Sequence, residues 1–179
     1  LSTLYNPLVQ RLRNLAKPII CAVNGVAAGA GANIVFGCDI VLASEEAKFV
    51  QSFAKVGLIP DAGGTYHLAK ILGPLRAKAW AMTATPITAA IAKDWGLVWE
   101  CFAPGDLMPA AHAMAADMAK GPTFGLAATK SAIHQVGIQD FDGHMALEAE
   151  IQKACGQSAD YREGVTAFLD KRPPHYSGE

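Results

Sequence analysis

Neither sign of charge is in excess in this chain. Lysine and arginine total 15 against 16 aspartates and glutamates, a formal net charge of −1, so there is no basic footprint on which nucleic acid would settle. Long apolar runs are missing as well. The longest, around Ile19 to Val23 and Ile34 to Phe36, fall far short of the roughly 20 residues that cross a bilayer, which argues against membrane insertion. Cys21, Cys38, Cys101 and Cys155 lie far apart, with no C-x-x-C pair and no histidine at ligand spacing. They read as free thiols of a reducing compartment, which points to the cytoplasm and away from a metal site or a disulfide framework. His112, His134, His144 and His175 show no metal spacing either. An initiator methionine and a signal-peptide layout are both lacking at Leu1, and the chain starts inside a helix-like pattern, so residues upstream are expected to be absent.

What is present is apolar material. Apolar residues make up 51% of the chain and charged residues 17%, the balance of a well-packed globular protein. A length of 179 residues suits one ordinary domain, or one domain with a helical appendage. Leu4, Leu8, Leu12 and Leu15 recur at helical spacing until Lys17-Pro18 stops them. PIICAVNG reads as a buried strand closed by the Asn24-Gly25 turn, VAAGAGANIVFG as a small-residue turn entering a helix, CDIVLAS as a strand and AKFV as another. That order predicts an α/β core. From Gly73 onward the pattern is mostly helical, with Thr88 as an N-cap and Gly96 as a stop around TAAIAKDWG, and LVWECF as a last strand. Helices are expected over 106–120, 123–135 and 142–156. A final one is expected from Asp160, where Asp160-Tyr161-Arg162-Glu163 has capping-box spacing. KRPPHYSGE reads as a polar tail, and Trp80, Trp95 and Trp99 as core. The economical division is a core over 1–105 and a helical region over 106–179.

The small-residue turn argues against three chemistries. A dinucleotide fingerprint needs a third small residue, where Gly29-Ala30-Gly31-Ala32-Asn33-Ile34 has isoleucine; a P-loop needs Gly-Lys-Ser or Gly-Lys-Thr; and the nucleophile elbow G-x-S-x-G is matched in spacing by Gly25 to Gly29 but with Ala27 at the nucleophile. What is left is backbone chemistry. Small residues at Gly29, Ala30 and Gly31 admit a ligand to main-chain N–H groups at a helix N-terminus, where an oxyanion is stabilised; tight strand-to-helix packing would call for the same residues. Further on, GLIPDAGGTYHL sets Asp61 just ahead of a helical run. By the residues alone it suits a helix cap and a catalytic acid equally.

KPIICAVNGVAAGAGANIVFGCDIVLASEEAKF followed by GLIPDAGGTYHLAKILG resembles the enoyl-CoA hydratase/isomerase family, the crotonases. Within it the likeness is to the ring-epoxide isomerases of bacterial phenylacetate degradation, which act on epoxyphenylacetyl-CoA. It extends through AKDWGLVWECF to the terminal DYREGVTAFLDKRPP. The resemblance implies a spiral of ββα units, with its N-terminal part lacking here, and a C-terminal helical region that forms a homotrimer or a dimer of trimers. It implies acyl-CoA substrates, with coenzyme A part of the substrate and no separate cofactor or metal.

It also implies roles for particular residues. The Ala30 N–H, flanked by Gly29 and Gly31, is one donor of an oxyanion hole, and the second donor is expected upstream of Leu1. The two glutamates that hydratases use are matched by Asn33 and Phe53, neither of which is a carboxylate, so hydration by the usual route is not expected and both are read as substrate contacts. Isomerases of this kind hold their single acid at the position of Asp61. There it would move a proton along the conjugated anion, with Phe53 and its apolar surroundings stripping water from it. Phe168 and Lys171 match C-terminal residues that reach coenzyme A, while His67 matches no catalytic position. A dehalogenase-like hydrolase with Asp61 as nucleophile, and a catalytically silent acyl-CoA-binding scaffold, are the alternatives.

Overall fold

The computed structural model describes residues 1–179. Helix α1 (Tyr5–Asn14) leads into β1 (Ile20–Val23) and β2 (Val26–Ala28), then α2 (Ala30–Phe36), β3 (Ile40–Ser44) and β4 (Lys48–Val50). A short 3-10 helix (Ser52–Val56) precedes α3 (Gly64–Thr83), β5 (Ile87–Thr88), α4 (Ala89–Asp94) and β6 (Glu100–Phe102). Helices α5 (Leu107–Ala119), α6 (Thr123–His134), α7 (Phe141–Gln157) and α8 (Ala159–Leu169) follow.

Each ββα unit contributes one strand to each of two three-stranded sheets, ordered β1-β3-β6 and β2-β4-β5. In the first all neighbours are parallel, with Cys21 opposite Val41 and Ala43 opposite Cys101. In the second, β2 and β4 are parallel and β5 closes the edge antiparallel to β4. Parallel neighbours cannot be joined by a hairpin, so α2 and α3 serve as crossovers that return the chain to the start of the next strand pair. The core between them is built from Phe36, Val41, Phe49, Leu68, Trp80, Ile87 and Val98. Phe36 packs against both Phe49 and Trp80, with ring centroids 5.5 and 6.0 Å apart.

The chain forms two compact units, one of Leu1–Arg13 with Ile19–His112 and the other of Asn14–Pro18 with Ala113–Glu179. In the second unit α6 packs on α7 and α7 on α8. No helix is long and apolar enough to cross a membrane.

Several expectations are corrected. β2 and β5, three and two residues long, escape period-2 patterning altogether. β1 is half-buried except at Val23, where full burial was expected. Helix α3 starts at Gly64, in the helical run read after Asp61, and continues through Gly73 and Pro74 as one element with a kink at Gly73. Trp80 is core and Trp95 packs against it, but Trp99 is 71% exposed. Asp160 does not cap α8: the Ser158 hydroxyl accepts from the Tyr161 N–H at 3.0 Å. Asp160 instead receives the N–H groups of Ser177 at 2.7 Å and Gly178 at 3.1 Å, so KRPPHYSGE folds back onto α8 instead of trailing into solvent.

Candidate active site

The site begins where β2 ends. Ala28 lies opposite Val50, and the Gly29 N–H extends that pairing by donating to the Val50 carbonyl at 2.9 Å. The chain then turns from strand to helix within one residue. Gly29 does this at φ 53°, ψ −125°, a conformation that suits glycine alone. A Cβ at this position would lie 3.2 Å from Ser52 Oγ and 3.6 Å from Phe53 Cζ. The buried Phe53 side chain is therefore directly beside the turn. Ala30 opens α2, so its N–H has no carbonyl one turn earlier to accept it. At Gly31 a Cβ would meet nothing within 4 Å; packing within this chain does not require glycine there, and the edge of the turn is open.

Asn33, one turn into α2, is fully buried. Its Nδ2 donates to the Asp61 carbonyl at 2.9 Å, and its Oδ1 accepts from Gln51 Nε2 at 2.8 Å. Both ends of the side chain are thus engaged by protein groups, behind the open edge of the turn. Helix α3 is built against it: a Cβ on Gly64 would come within 2.2 Å of Asn33 Nδ2.

Asp61 is half-buried in the turn before α3. Its carbonyl accepts from Asn33 and from the Gly64 N–H, the latter at 2.7 Å. The N-cap of α3 is Gly63, at φ 80°, and no side chain caps the helix. The capping role read for the Asp61 carboxylate therefore falls to its backbone carbonyl. Its Oδ1 is buried and has no hydrogen-bond partner. A buried acceptor left unpaired costs about 1–3 kcal/mol.

Gly29, Ala30, Gly31, Asn33, Phe53 and Asp61 thus lie on three elements of the first unit that are joined by hydrogen bonds and close packing. Phe168 and Lys171 belong to the second unit. Phe168 is 82% exposed on α8, and Lys171 follows that helix at φ 54°, its N–H donating to the Phe168 carbonyl at 3.3 Å. His67 lies at the core edge, its ring against Gly37 and Gly63. Sequence reasoning missed Gln51 and Gly64. Gln51 is fully buried, and its Oε1, like Asp61 Oδ1, lacks a partner. An amide directly after the short strand Lys48–Val50 and before a buried phenylalanine was the available sign.

The sequence matches the enoyl-CoA hydratase/isomerase family over residues 1–179. It is 48% identical over 175 residues to the 1,2-epoxyphenylacetyl-CoA isomerase of Escherichia coli K12, covering 98% of this chain and 67% of that protein. It is 45% identical over 174 residues to a protein of Rhodobacter capsulatus named "Probable enoyl-CoA hydratase", covering 97% of this chain and 68% of that one. Among solved structures, an enoyl-CoA hydratase from Polaromonas sp. JS666 superposes with a TM-score of 0.93 at 34% identity, over 97% of this chain and 67% of that chain. The chain spans about two thirds of the length of each. Likeness at this level, carried through both the strand-rich and the helical parts, leaves one assignment: the chain belongs to the enoyl-CoA hydratase/isomerase family and has its crotonase fold.

Proposed function

We propose that this chain catalyses a proton shift on an acyl-CoA thioester. The shift moves a double bond from the β,γ to the α,β position, or takes part in converting ring-epoxidised phenylacetyl-CoA to its oxepin form. The names of the relatives divide between isomerisation and hydration. The observation that favours isomerisation is the lone acid: Asp61 presents a buried, unpartnered Oδ1. The two positions matching the hydratase glutamates are Asn33, whose amide is consumed by Asp61 and Gln51, and the apolar Phe53. Adding water calls for a base to activate it, and neither residue is one.

In this reading the Asp61 carboxylate removes a proton from carbon in conjugation with the thioester carbonyl. The Ala30 N–H, with Gly29 and Gly31 keeping the approach open, donates to the oxygen on which the enolate charge gathers. The protonated Asp61 then returns the proton to another carbon of the same delocalised anion. Atoms and charge balance within substrate and enzyme, so the chemistry calls for no redox cofactor. One oxyanion donor contributes about 10²–10³-fold in rate and a positioned acid/base about 10²–10⁴-fold.

The test is the conjugated-thioester absorbance of a β,γ-enoyl-CoA incubated with the full-length protein. The band should grow with the wild type and slow by about 10²–10⁴-fold with Asp61→Asn. A folded, fully active Asp61→Asn would overturn the reading. Loss of the band from an α,β-enoyl-CoA would favour hydration instead.

Self-association is part of the same proposal. Phe141, Met145 and Leu169 of the second unit stand 76%, 52% and 72% exposed, apolar side chains that a partner copy would cover. Sedimentation should give three or six copies; a monomer at micromolar concentration would count against it.

A further inference from the structure

The geometry points to Asn33 and Gln51 as positioning residues for Asp61, an amide relay that sets where the carboxylate stands without touching substrate. This rests on the reading of Asp61 as the working acid. The relay has a direction. The Asp61 carbonyl can only accept, so the group facing it at 2.9 Å must be Nδ2 of Asn33. That turns Oδ1 toward Gln51, and the group facing Oδ1 at 2.8 Å must then be Nε2. Neither amide can flip without setting two acceptors or two donors against each other. Both side chains are fully buried, so no water compensates for a lost bond. Gly64 closes the arrangement, because its missing Cβ is what lets Asn33 pass to the Asp61 carbonyl.

The turn at Asp61 is therefore gripped twice at a single atom, once by the start of its own helix and once from α2, which also carries Ala30. The acid and the oxyanion donor are referred to the same helix. A carboxylate at residue 33 cannot make this bond, since it has no proton to give to a carbonyl. The amide at this position is thus what couples Asp61 to α2. A misplacement of about 1 Å at a reacting group costs about a hundredfold in rate, which sets the expected scale.

The experiment uses the full-length protein and the β,γ-enoyl-CoA assay, together with amide hydrogen exchange of the segment holding Asp61 and Gly64. Asn33→Leu, which keeps the bulk and removes the donor, should lower kcat about tenfold to a hundredfold at unchanged KM and speed exchange of the Gly64 amide. Asn33→Asp carries the test if Asn33→Leu does not fold: at a pH where residue 33 is ionised it has no donor for the Asp61 carbonyl, so kcat should fall on the same scale and exchange of the Gly64 amide should quicken. Leu42→Ala, a core truncation in β3, serves as the stability control and should lower Tm with kcat kept. An unchanged kcat in folded Asn33→Leu, or a loss that the control reproduces, overturns the inference. Asp61→Asn is run alongside. Its inactivity together with a fully active Asn33→Leu sinks the positioning role alone, whereas its full activity sinks the proton-shift reading and this inference with it.

Discussion

At the scale of single residues, two glycines a few elements apart separate packing from chemistry. A Cβ at Gly64 would overlap Asn33 Nδ2, which cannot move without releasing both the Asp61 carbonyl and Gln51. Overpacking of this kind costs about 1–3 kcal/mol. At Gly31 the added methyl meets nothing, and alanine within a helix is favoured over glycine by about 0.5–1 kcal/mol. We therefore expect Gly64→Ala to unfold at lower denaturant concentration and Gly31→Ala at equal or higher concentration. If the Ala30 and Gly31 edge is where the thioester oxygen lies, Gly31→Ala should nonetheless lose turnover. Asp61 could be picked out from IPDAGG, but not which of its atoms does what: a local pattern cannot say that the carbonyl takes the capping bond and leaves the carboxylate unpaired.

At the scale of elements, α8 shows how a local signal misleads. Asp160 and Glu163 have capping-box spacing, yet both are claimed by the tail, Asp160 by Ser177 and Gly178 and Glu163 by Arg172 and the His175 N–H. The hydroxyl that caps the helix is Ser158. Two substitutions should therefore have different consequences. Ser158→Ala should cost about 1 kcal/mol, the usual worth of an N-cap, and leave the tail docked. Asp160→Ala should remove the buried carboxylate that holds the Ser177 and Gly178 N–H groups and open the C-terminal segment to limited proteolysis. By contrast Thr88 was legible as a cap, its hydroxyl accepting from the Ile91 N–H at 3.3 Å, because nothing distant competes for it.

At the scale of the whole molecule, pH acts through the same tail. The Arg172 guanidinium, donating at 2.7 and 2.9 Å, and then the His175 N–H lower the Glu163 carboxyl from 4.5 to about 2. A carboxyl whose folded-state value is depressed stabilises the fold above its unfolded value and ceases to do so as pH falls through the folded one. The contribution of Glu163 is thus complete above about pH 4.5 and is lost between there and about pH 2. Thermal melts of the wild type and Glu163→Gln should differ at neutral pH, converge across that window and coincide below it. A constant difference down to pH 2 would show that the pairing with Arg172 is not what matters.

The sequence by itself carried the family resemblance in motifs such as GLIPDAGGTYHL, and it determined the α/β class and the order of the longer elements, since these follow from periodicity and from residues adjacent in the chain. Only the tertiary structure decided that β2 and β5 are strands, that the C-terminal segment is docked, and that Asn33 and Gln51 converge behind Asp61. Those outcomes rest on bonds between residues far apart, 28 positions for Asn33 and Asp61 and 18 for Gln51 and Asn33. A strand of two or three residues has too little pattern of its own, and a buried amide shows its role only when the groups that satisfy it have been brought beside it.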